Sequence, residues 1–233
     1  MQNFHDLHNI YISLNFPGNS ILPSNSTSPD ASMAQYLYTI MGVKMIQVTG
    51  AGEKTGRAVI RALKTQGARI CGIVNTEKNK EGIEGLSAEA ILGDMNSLED
   101  KARAADGVKA VYHISPNVHA GELESGRTAV AAAVKTGVPR FAFHSLCHPQ
   151  IASLPHYWLK LRMEEYLKGS GLSFTILQPT PYMQHVLGQW QNIMERGVHE
   201  VPYQPSTRLG MAGLEDITKE AARVFTPPQA TIG

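Results

Sequence analysis

The chain has 233 residues, of which 42% are hydrophobic and 18% charged, so it holds enough apolar material for a core and is not a disordered chain. Lys and Arg number 21 against 20 Asp and Glu, and a net charge of +1 gives no basic surface for nucleic acid or acidic lipid. The two cysteines, Cys71 and Cys147, lie far apart, which excludes a disulfide scaffold or zinc ribbon and suits a reducing, cytoplasmic location. No stretch approaches the roughly 20 apolar residues of a membrane span.

The first 32 residues contain no Lys or Arg and are rich in Asn and Ser. A secretory signal needs a cationic start and an apolar run, and a mitochondrial transit peptide needs arginines, so neither is indicated. We predict that residues 1–43 are a disordered leader, or that translation starts later, at Met33, Met41 or Met45. An ordered domain then covers residues 44–226, and residues 227–233 form a tail.

From residue 44 onward, short apolar runs alternate with amphipathic segments. The runs predict six strands, at residues 45–49, 70–74, 90–92, 109–114, 141–144 and 174–177. The intervening segments predict helices at residues 54–65, 97–105, 122–136 and 156–168, with a further helix at 214–224. This alternation predicts an α/β fold with a doubly wound parallel sheet of the Rossmann-like type, in which apolar strands are covered by helices on both faces.

A glycine-rich turn, residues 49–56, separates the first predicted strand of this domain from its first helix. Unpaired amides and the positive dipole end of a helix N-terminus bind a pyrophosphate. In such a turn Gly50 allows the tight bend, Gly52 the approach of the phosphate, and Gly56 the packing of helix on strand. The first strand and first helix of a βαβ unit are the context that a dinucleotide site requires. We therefore predict cofactor contacts from this turn, by Thr49, Gly50, Gly52, Lys54, Thr55 and Gly56.

The end of the second predicted strand indicates which dinucleotide binds. An NAD-binding protein commonly places an acidic residue there, to bond the ribose 2′-hydroxyl. Here the strand ends in Asn75 and Thr76, and Lys78 and Lys80 follow. Asn75, Thr76 and Lys78 suit a 2′-phosphate, which favours NADP, with NAD still possible. The alternative is that these lysines belong to an ordinary solvated loop.

Several motifs resemble those of NmrA-like proteins, which are atypical relatives of the short-chain dehydrogenases and reductases. They are residues 48–57, Gly93-Asp94, His144-Ser145, residues 155–160, residues 174–179 and residues 214–217. The family usually reads Thr-Gly-Ala-Thr-Gly-x-x-Gly, whereas here Gly52-Glu53 replaces Thr-Gly. The resemblance implies an NAD(P)-binding fold in which Asp94, Ser115 and Pro179 also contact the cofactor. It also implies a further C-terminal stretch for the substrate pocket, so we expect a truncated substrate region.

Short-chain dehydrogenases use Ser, Tyr and Lys, with the last two spaced as Tyr-x-x-x-Lys, and this resemblance identifies the candidate catalytic residues. Ser145 and Lys160 match the pattern, but His156 stands where the tyrosine is expected, and Tyr157 is one position too late. An imidazole can protonate an alkoxide at neutral pH, so His156 is a candidate general acid. The alternative is that His156 packs at the helix start and that Lys160 only binds the cofactor.

Tyr182 and Met183 lie near the nicotinamide by the same resemblance, or else begin a helix at the sheet edge. The histidines at 144, 148 and 156 lack the spacing of a metal site, so no metal is expected. Two hypotheses remain open. The first is an NADP-dependent oxidoreductase acting on a small organic carbonyl. The second is a non-catalytic NAD(P)-binding regulator with a protein partner. Nucleic acid and membrane partners are not expected.

Overall fold

The computed structural model describes residues 4–6, 10–15, 45–116, 119–151, 154–201, 204 and 206–225. The strands in these ranges are β1 (Phe4–Asp6), β2 (Ile10–Asn15), β3 (Met45–Val48), β4 (Arg69–Val74), β5 (Glu89–Leu92), β6 (Ala110–Ile114), β7 (Phe141–His144) and β8 (Phe174–Pro179). The α-helices are α1 (Lys54–Thr65), α2 (Glu77–Glu84), α3 (Leu98–Ala105), α4 (Glu122–Lys135), α5 (Pro155–Lys168), α6 (Trp190–Arg196) and α7 (Leu214–Arg223). A 3₁₀ helix, Met183–Gln189, precedes α6.

All eight strands form one sheet in the order β1-β2-β8-β7-β6-β3-β4-β5. Strands β3 to β8 run parallel, and the chain winds outward from β3 in both directions, first to β4 and β5, then to β6, β7 and β8. This is the doubly wound order of a Rossmann-like sheet, which the apolar runs predicted, and that prediction is confirmed. The order reverses between β3 and β6, and ligands of such folds bind outside the carboxyl ends of the strands at this point.

Helices cover both faces of the parallel strands. One apolar core contains buried residues of α1, α2 and α7 packed against side chains such as Tyr112 and Ala142. The other contains buried residues of α3, α4 and α5 packed against Phe141 and Phe143. Because neighbouring positions of β7 enter opposite cores, the strand is apolar on both sides, as expected for a sheet buried between two helical layers.

An antiparallel hairpin extends the sheet at one edge. β2 pairs with β8 along its whole length, from Ile10 opposite Pro179 to Asn15 opposite Phe174, and β1 pairs with β2. This differs from the expectation of a disordered leader at Phe4–Asp6 and Ile10–Asn15. The rest of residues 1–43, and the predicted tail at 227–233, lie outside the described residues.

No helix was predicted between the second and third strands of the domain, so α2 differs from the expectation. Thr76 caps this helix by accepting a hydrogen bond from the Asn79 amide, at 3.2 Å. Ile83 is its buried residue, so the segment lacks the apolar periodicity from which a helix is recognised. No helix within the described residues is long and apolar enough to cross a membrane.

Candidate cofactor and active site

The glycine-rich turn lies between β3 and α1, beside the point where the strand order reverses. Gly50 has a φ of +63°, a conformation that favours glycine. A Cβ on Gly56 would overlap the Gly50 carbonyl oxygen, so Gly56 lets α1 pack directly against the turn. Within the described residues, the Glu53 side chain makes no capping hydrogen bond to α1. The turn therefore presents a helix N-terminus without a side-chain cap, which is suited to an anionic group.

Arg57 joins this turn to the carboxyl end of β4. Its Nε donates to the Gly52 carbonyl oxygen at 2.8 Å, and Nη2 donates to Asn79 Oδ1 at 3.2 Å. The side-chain nitrogen Nδ2 of Asn79 lies 3.4 Å from Asn75 Oδ1. Gly52 makes room for Asn79, since a Cβ there would lie 2.5 Å from Asn79 Cγ. A guanidinium thus stands next to the position predicted to bind a 2′-phosphate. Arg57 was not among the cofactor residues predicted from the sequence, although Arg57 directly follows the last glycine of the motif.

Thr49 and Ser115 lie at the carboxyl ends of β3 and β6 and are joined through His113. The Thr49 hydroxyl is 2.7 Å from His113 Nδ1, and His113 Nε2 is 3.1 Å from the Ser115 hydroxyl. The Thr49 oxygen also accepts from the Ile114 amide at 3.0 Å. Burial holds the pKa of His113 well below its usual value, with the charge of Lys101 acting in the same direction. The neutral imidazole of His113 therefore connects two of the predicted cofactor residues, Thr49 after β3 and Ser115 after the adjacent strand β6.

Lys160 lies beneath the strand ends in a buried ion pair. Its Nζ is 3.0 Å from Glu122 Oε1 and donates to the His144 carbonyl oxygen at 3.3 Å. It also lies 5.3 Å from the centre of the Phe143 ring. Burial lowers the pKa of Lys160, and Glu122 opposes that shift. Glu122, at the start of α4, was not predicted as a site residue, because it belongs to no motif in the sequence.

Ser145 and Lys160 are both placed at the end of β7, since Lys160 donates to the carbonyl oxygen of His144, the residue before Ser145. The Ser145 hydroxyl donates to Glu164 Oε1 at 2.6 Å, and the same oxygen accepts from Gln178 Nε2 at 2.8 Å. Glu164 is buried, and its Oε2 lies 4.0 Å from Lys168 Nζ on the same helix. His156 lies in the first turn of α5, half-buried, with its ring centre 4.6 Å from that of Tyr157.

The remaining predicted cofactor residues occupy the same edge of the sheet. Lys54 is exposed on α1 and its Nζ lies 3.4 Å from the Gln184 carbonyl oxygen. Asn75 and Lys78 are exposed after β4, the latter on α2. Asp94 follows β5, where its side chain accepts from the Asn96 amide at 2.8 Å. Pro179 ends β8 and its carbonyl oxygen accepts from the Cys147 amide at 2.8 Å.

Two tyrosines and a histidine form a hydrogen-bonded chain between the strand ends and α1. Tyr112 Oη is 2.6 Å from His144 Nδ1, and His144 Nε2 is 2.6 Å from Tyr182 Oη. Burial, together with the nearby Lys160 charge, lowers the pKa of His144 to about 3. Burial raises the pKa of Tyr182 to about 12, although a hydrogen bond with Thr55 acts in the opposite direction. The signal in the sequence was the presence of polar side chains, Tyr112 and His113 in β6 and His144 in β7, within two mainly apolar strands.

Within the described part of the chain, no three His, Cys, Asp or Glu side chains lie close enough together to bind a metal ion.

The strand order and the glycine turn at its reversal define a doubly wound fold of the Rossmann-like type. The chain belongs to the NmrA-like family, whose sequence profile matches residues 42–233. This confirms the resemblance drawn from the motifs.

Two curated relatives illustrate the range of the family. The chain is 28% identical to quinone oxidoreductase 2 of Escherichia coli over 187 residues, which cover 78% of this chain and 64% of that protein. It is 27% identical to the photosystem II assembly factor Ycf39 of Guillardia theta over 185 residues, which cover 76% of this chain and 59% of that protein. The chain thus spans less than two thirds of the length of either relative.

Solved structures share the fold. The NADPH complex of the Escherichia coli quinone oxidoreductase has a TM-score of 0.72 and 24% identity, covering 79% of this chain and 65% of that one. The NADP(H) complex of the triphenylmethane reductase of Citrobacter sp. has a TM-score of 0.70 and 22% identity, covering 78% of this chain and 66% of that one.

Proposed function

We propose that this protein is an NADP-dependent reductase of small organic acceptors, with quinones and other carbonyl compounds as the first class to test. The observation that carries the proposal is the glycine turn at the strand-order reversal, with Arg57 and Asn75 beside it. A guanidinium is the group best suited to bind a phosphate through paired hydrogen bonds. The similarity to a quinone oxidoreductase supports the acceptor class.

The residues around the turn fit the cofactor. Gly50 and Gly56 keep the turn tight at the start of α1, because a Cβ on either residue would meet a backbone carbonyl oxygen of a neighbouring segment. On this proposal the binding groups are Thr49, Gly50, Gly52, Lys54, Thr55, Gly56, Arg57, Asn75, Lys78, Asp94, Ser115, Lys160 and Pro179. When bound, the reduced nicotinamide supplies a hydride. The chain's own residues bind and orient the two reactants and manage the proton.

Lys160 has a particular place in this proposal. Two of its ammonium hydrogens are directed to Glu122 and to the carbonyl oxygen at the end of β7. One hydrogen therefore remains to donate to a cofactor ribose. Ser145 is engaged by Glu164. We propose that both side chains shape the floor of the site.

A non-catalytic cofactor-binding role is the second candidate. His156 replaces the tyrosine of the dehydrogenase pattern, and one relative carries the name of an assembly factor. Such a protein binds the dinucleotide without consuming it.

Calorimetry followed by a turnover assay separates the two candidates. We expect NADPH to bind at least about tenfold more tightly than NADH, which corresponds to about 1.4 kcal/mol. We also expect NADPH consumption with p-benzoquinones and with a panel of aldehydes and ketones. Saturable NADPH binding with no turnover on any acceptor would favour the second candidate, and equal binding of both cofactors would remove the NADP assignment.

A further inference from the structure

The chain of hydrogen bonds from Tyr112 through His144 to Tyr182 determines where one proton lies. Since the pKa of His144 is far below neutrality, its ring is uncharged and has one N–H and one bare nitrogen. Tyr112 is fully buried, and His144 Nδ1 lies 2.6 Å from its hydroxyl. A buried hydroxyl hydrogen without an acceptor is costly, so Tyr112 donates to Nδ1.

The remaining proton of the ring is therefore on Nε2. His144 donates it to Tyr182 Oη, 2.6 Å away. The hydroxyl hydrogen of Tyr182 is then not used by His144 and is left for another acceptor. Tyr182 is half-buried, and its hydrogen bond with Thr55, in the first turn of α1, acts to lower its pKa, which is the effect of a bond that Thr55 donates. It thus lies between the helix that begins the candidate cofactor site and the end of β7.

We propose that Tyr182 is the proton donor of this site, and that His144 and Tyr112 are positioning residues that keep its hydroxyl hydrogen free. This inference rests on the proposed reductase function. It supplies the group that the dehydrogenase pattern lacks, because a tyrosine after β8 takes the role of the tyrosine missing at position 156.

The acceptor gains a hydride from the reduced nicotinamide, and its oxygen takes the proton from Tyr182 as the Oη–H bond breaks. The tyrosinate is stabilised by the N–H of His144 and by the Thr55 hydroxyl. A proton from solvent then restores Tyr182, so each turnover consumes one proton. Tyr112 keeps its own proton throughout.

Tyr182→Phe tests the donor with two acceptors that differ in their need for a proton. A quinone or carbonyl takes up a hydride and a proton, whereas a cationic triphenylmethane dye becomes neutral on taking up a hydride alone. We expect kcat with the quinone to fall by about 100-fold or more, the usual scale for a general acid. We expect the dye rate and the NADPH dissociation constant, measured by calorimetry, to stay within about twofold of wild type.

Tyr157→Phe is the matched control, because Tyr157 is the tyrosine nearest to the dehydrogenase position and its ring packs on His156. It should leave both rates unchanged. A large loss of quinone reduction in Tyr157→Phe with none in Tyr182→Phe would overturn the proposal. So would an equal loss with quinone and dye in Tyr182→Phe, since that marks a structural role.

The positioning role is tested without turnover. In ¹⁵N-histidine NMR of the protein without cofactor, we expect His144 to carry its proton on Nε2 between pH 5 and pH 8. Tyr112→Phe removes the donor to Nδ1, so the tautomer should shift towards Nδ1–H, and quinone reduction should fall while the dye rate holds. A His144 protonated on Nδ1 in the wild-type protein, or charged at pH 6, would overturn the inference.

These outcomes separate the inference from the function on which it rests. An inactive wild-type protein overturns the reductase assignment and the donor role together. An active wild type with an unaffected Tyr182→Phe variant overturns the donor role alone.

Discussion

Gly56 is the residue of the turn where the structure leaves the least space, because a Cβ there meets the Gly50 carbonyl oxygen. We expect Gly56→Ala to weaken NADPH binding at least about tenfold, since the turn must move away from α1. Gly169→Ala is the control, because its Cβ would lie 3.6 Å from the nearest backbone atom, in ordinary contact. Calorimetry of both variants, with circular dichroism to verify folding, gives the comparison. Equal affinities would refute the assignment of the turn as the phosphate site.

Arg57 is the side chain that we expect to distinguish the two dinucleotides. Arg57→Ala should weaken NADPH binding by about 1.5–3 kcal/mol, the scale for a hydrogen bond to a charged group, and leave NADH binding nearly unchanged. Arg61→Ala, on the same helix but exposed, is the control. If Arg57→Ala weakens both cofactors equally, the guanidinium acts on the fold of the turn and not on a 2′-phosphate.

The buried Glu122–Lys160 pair connects α4 to α5, and its removal should show strong coupling. Lys160→Met leaves a buried carboxylate without its cation, and we expect a loss of about 3–5 kcal/mol in the free energy of unfolding. The double variant Glu122→Gln/Lys160→Met should recover part of this loss. The exposed Arg162–Glu165 pair on α5 is the control, where a double-mutant cycle should give under about 1 kcal/mol. Additive losses at the buried pair would contradict the ion pair.

At the scale of elements, the edge of the sheet depends on β2. Ile12 pairs with Leu177 of β8 and with His5 of β1, and it packs against Ala212 and Ile217. Ile12→Pro cannot keep both ladders intact, and we expect a melting temperature lower by several degrees, at about 2–4 °C per kcal/mol for a chain of this size. Ile12→Val should be close to wild type by differential scanning calorimetry. An unaltered melting temperature in Ile12→Pro would mean that the hairpin adds no stability in solution.

At the scale of the whole molecule, buried neutral histidines make stability depend on pH. The pKa of His144 is lowered from 6.5 to about 3, and that of His113 is also lowered. The unfolded chain therefore binds protons that the folded chain does not. The free energy of unfolding should fall progressively as the pH decreases from about 6.5 towards 3.

Urea unfolding at pH 7.5, 6.5, 5.5 and 5.0 measures this dependence above the range where most carboxylates titrate. His144→Gln removes one of the two groups and should reduce the slope, whatever its effect on stability at pH 7.5. His199→Gln, at an exposed histidine, is the control and should leave the slope unchanged. A wild-type free energy that stays constant over this range would contradict neutral, buried imidazoles.

The sequence by itself determined the doubly wound sheet. Apolar runs bounded by helical segments are local patterns, and the glycines at 50 and 56 mark a turn whose geometry requires them. The same apolar runs predicted the strand ends, where Thr49, Ser115 and Ser145 lie. The hairpin of β1 and β2 was missed, because its partner β8 lies more than 150 residues away in sequence and local composition does not indicate such pairing.

Only the tertiary structure decided the contacts within the site. Arg57 and Asn79 lie on separate helices, as do Glu122 and Lys160, and the spacing of residues within one element does not predict such pairs. The protonation of His144 depends on its burial and on Tyr112 and Tyr182, which come from different segments of the fold. A pKa is determined by the groups that surround a residue in space, and these groups are set by packing rather than by sequence order.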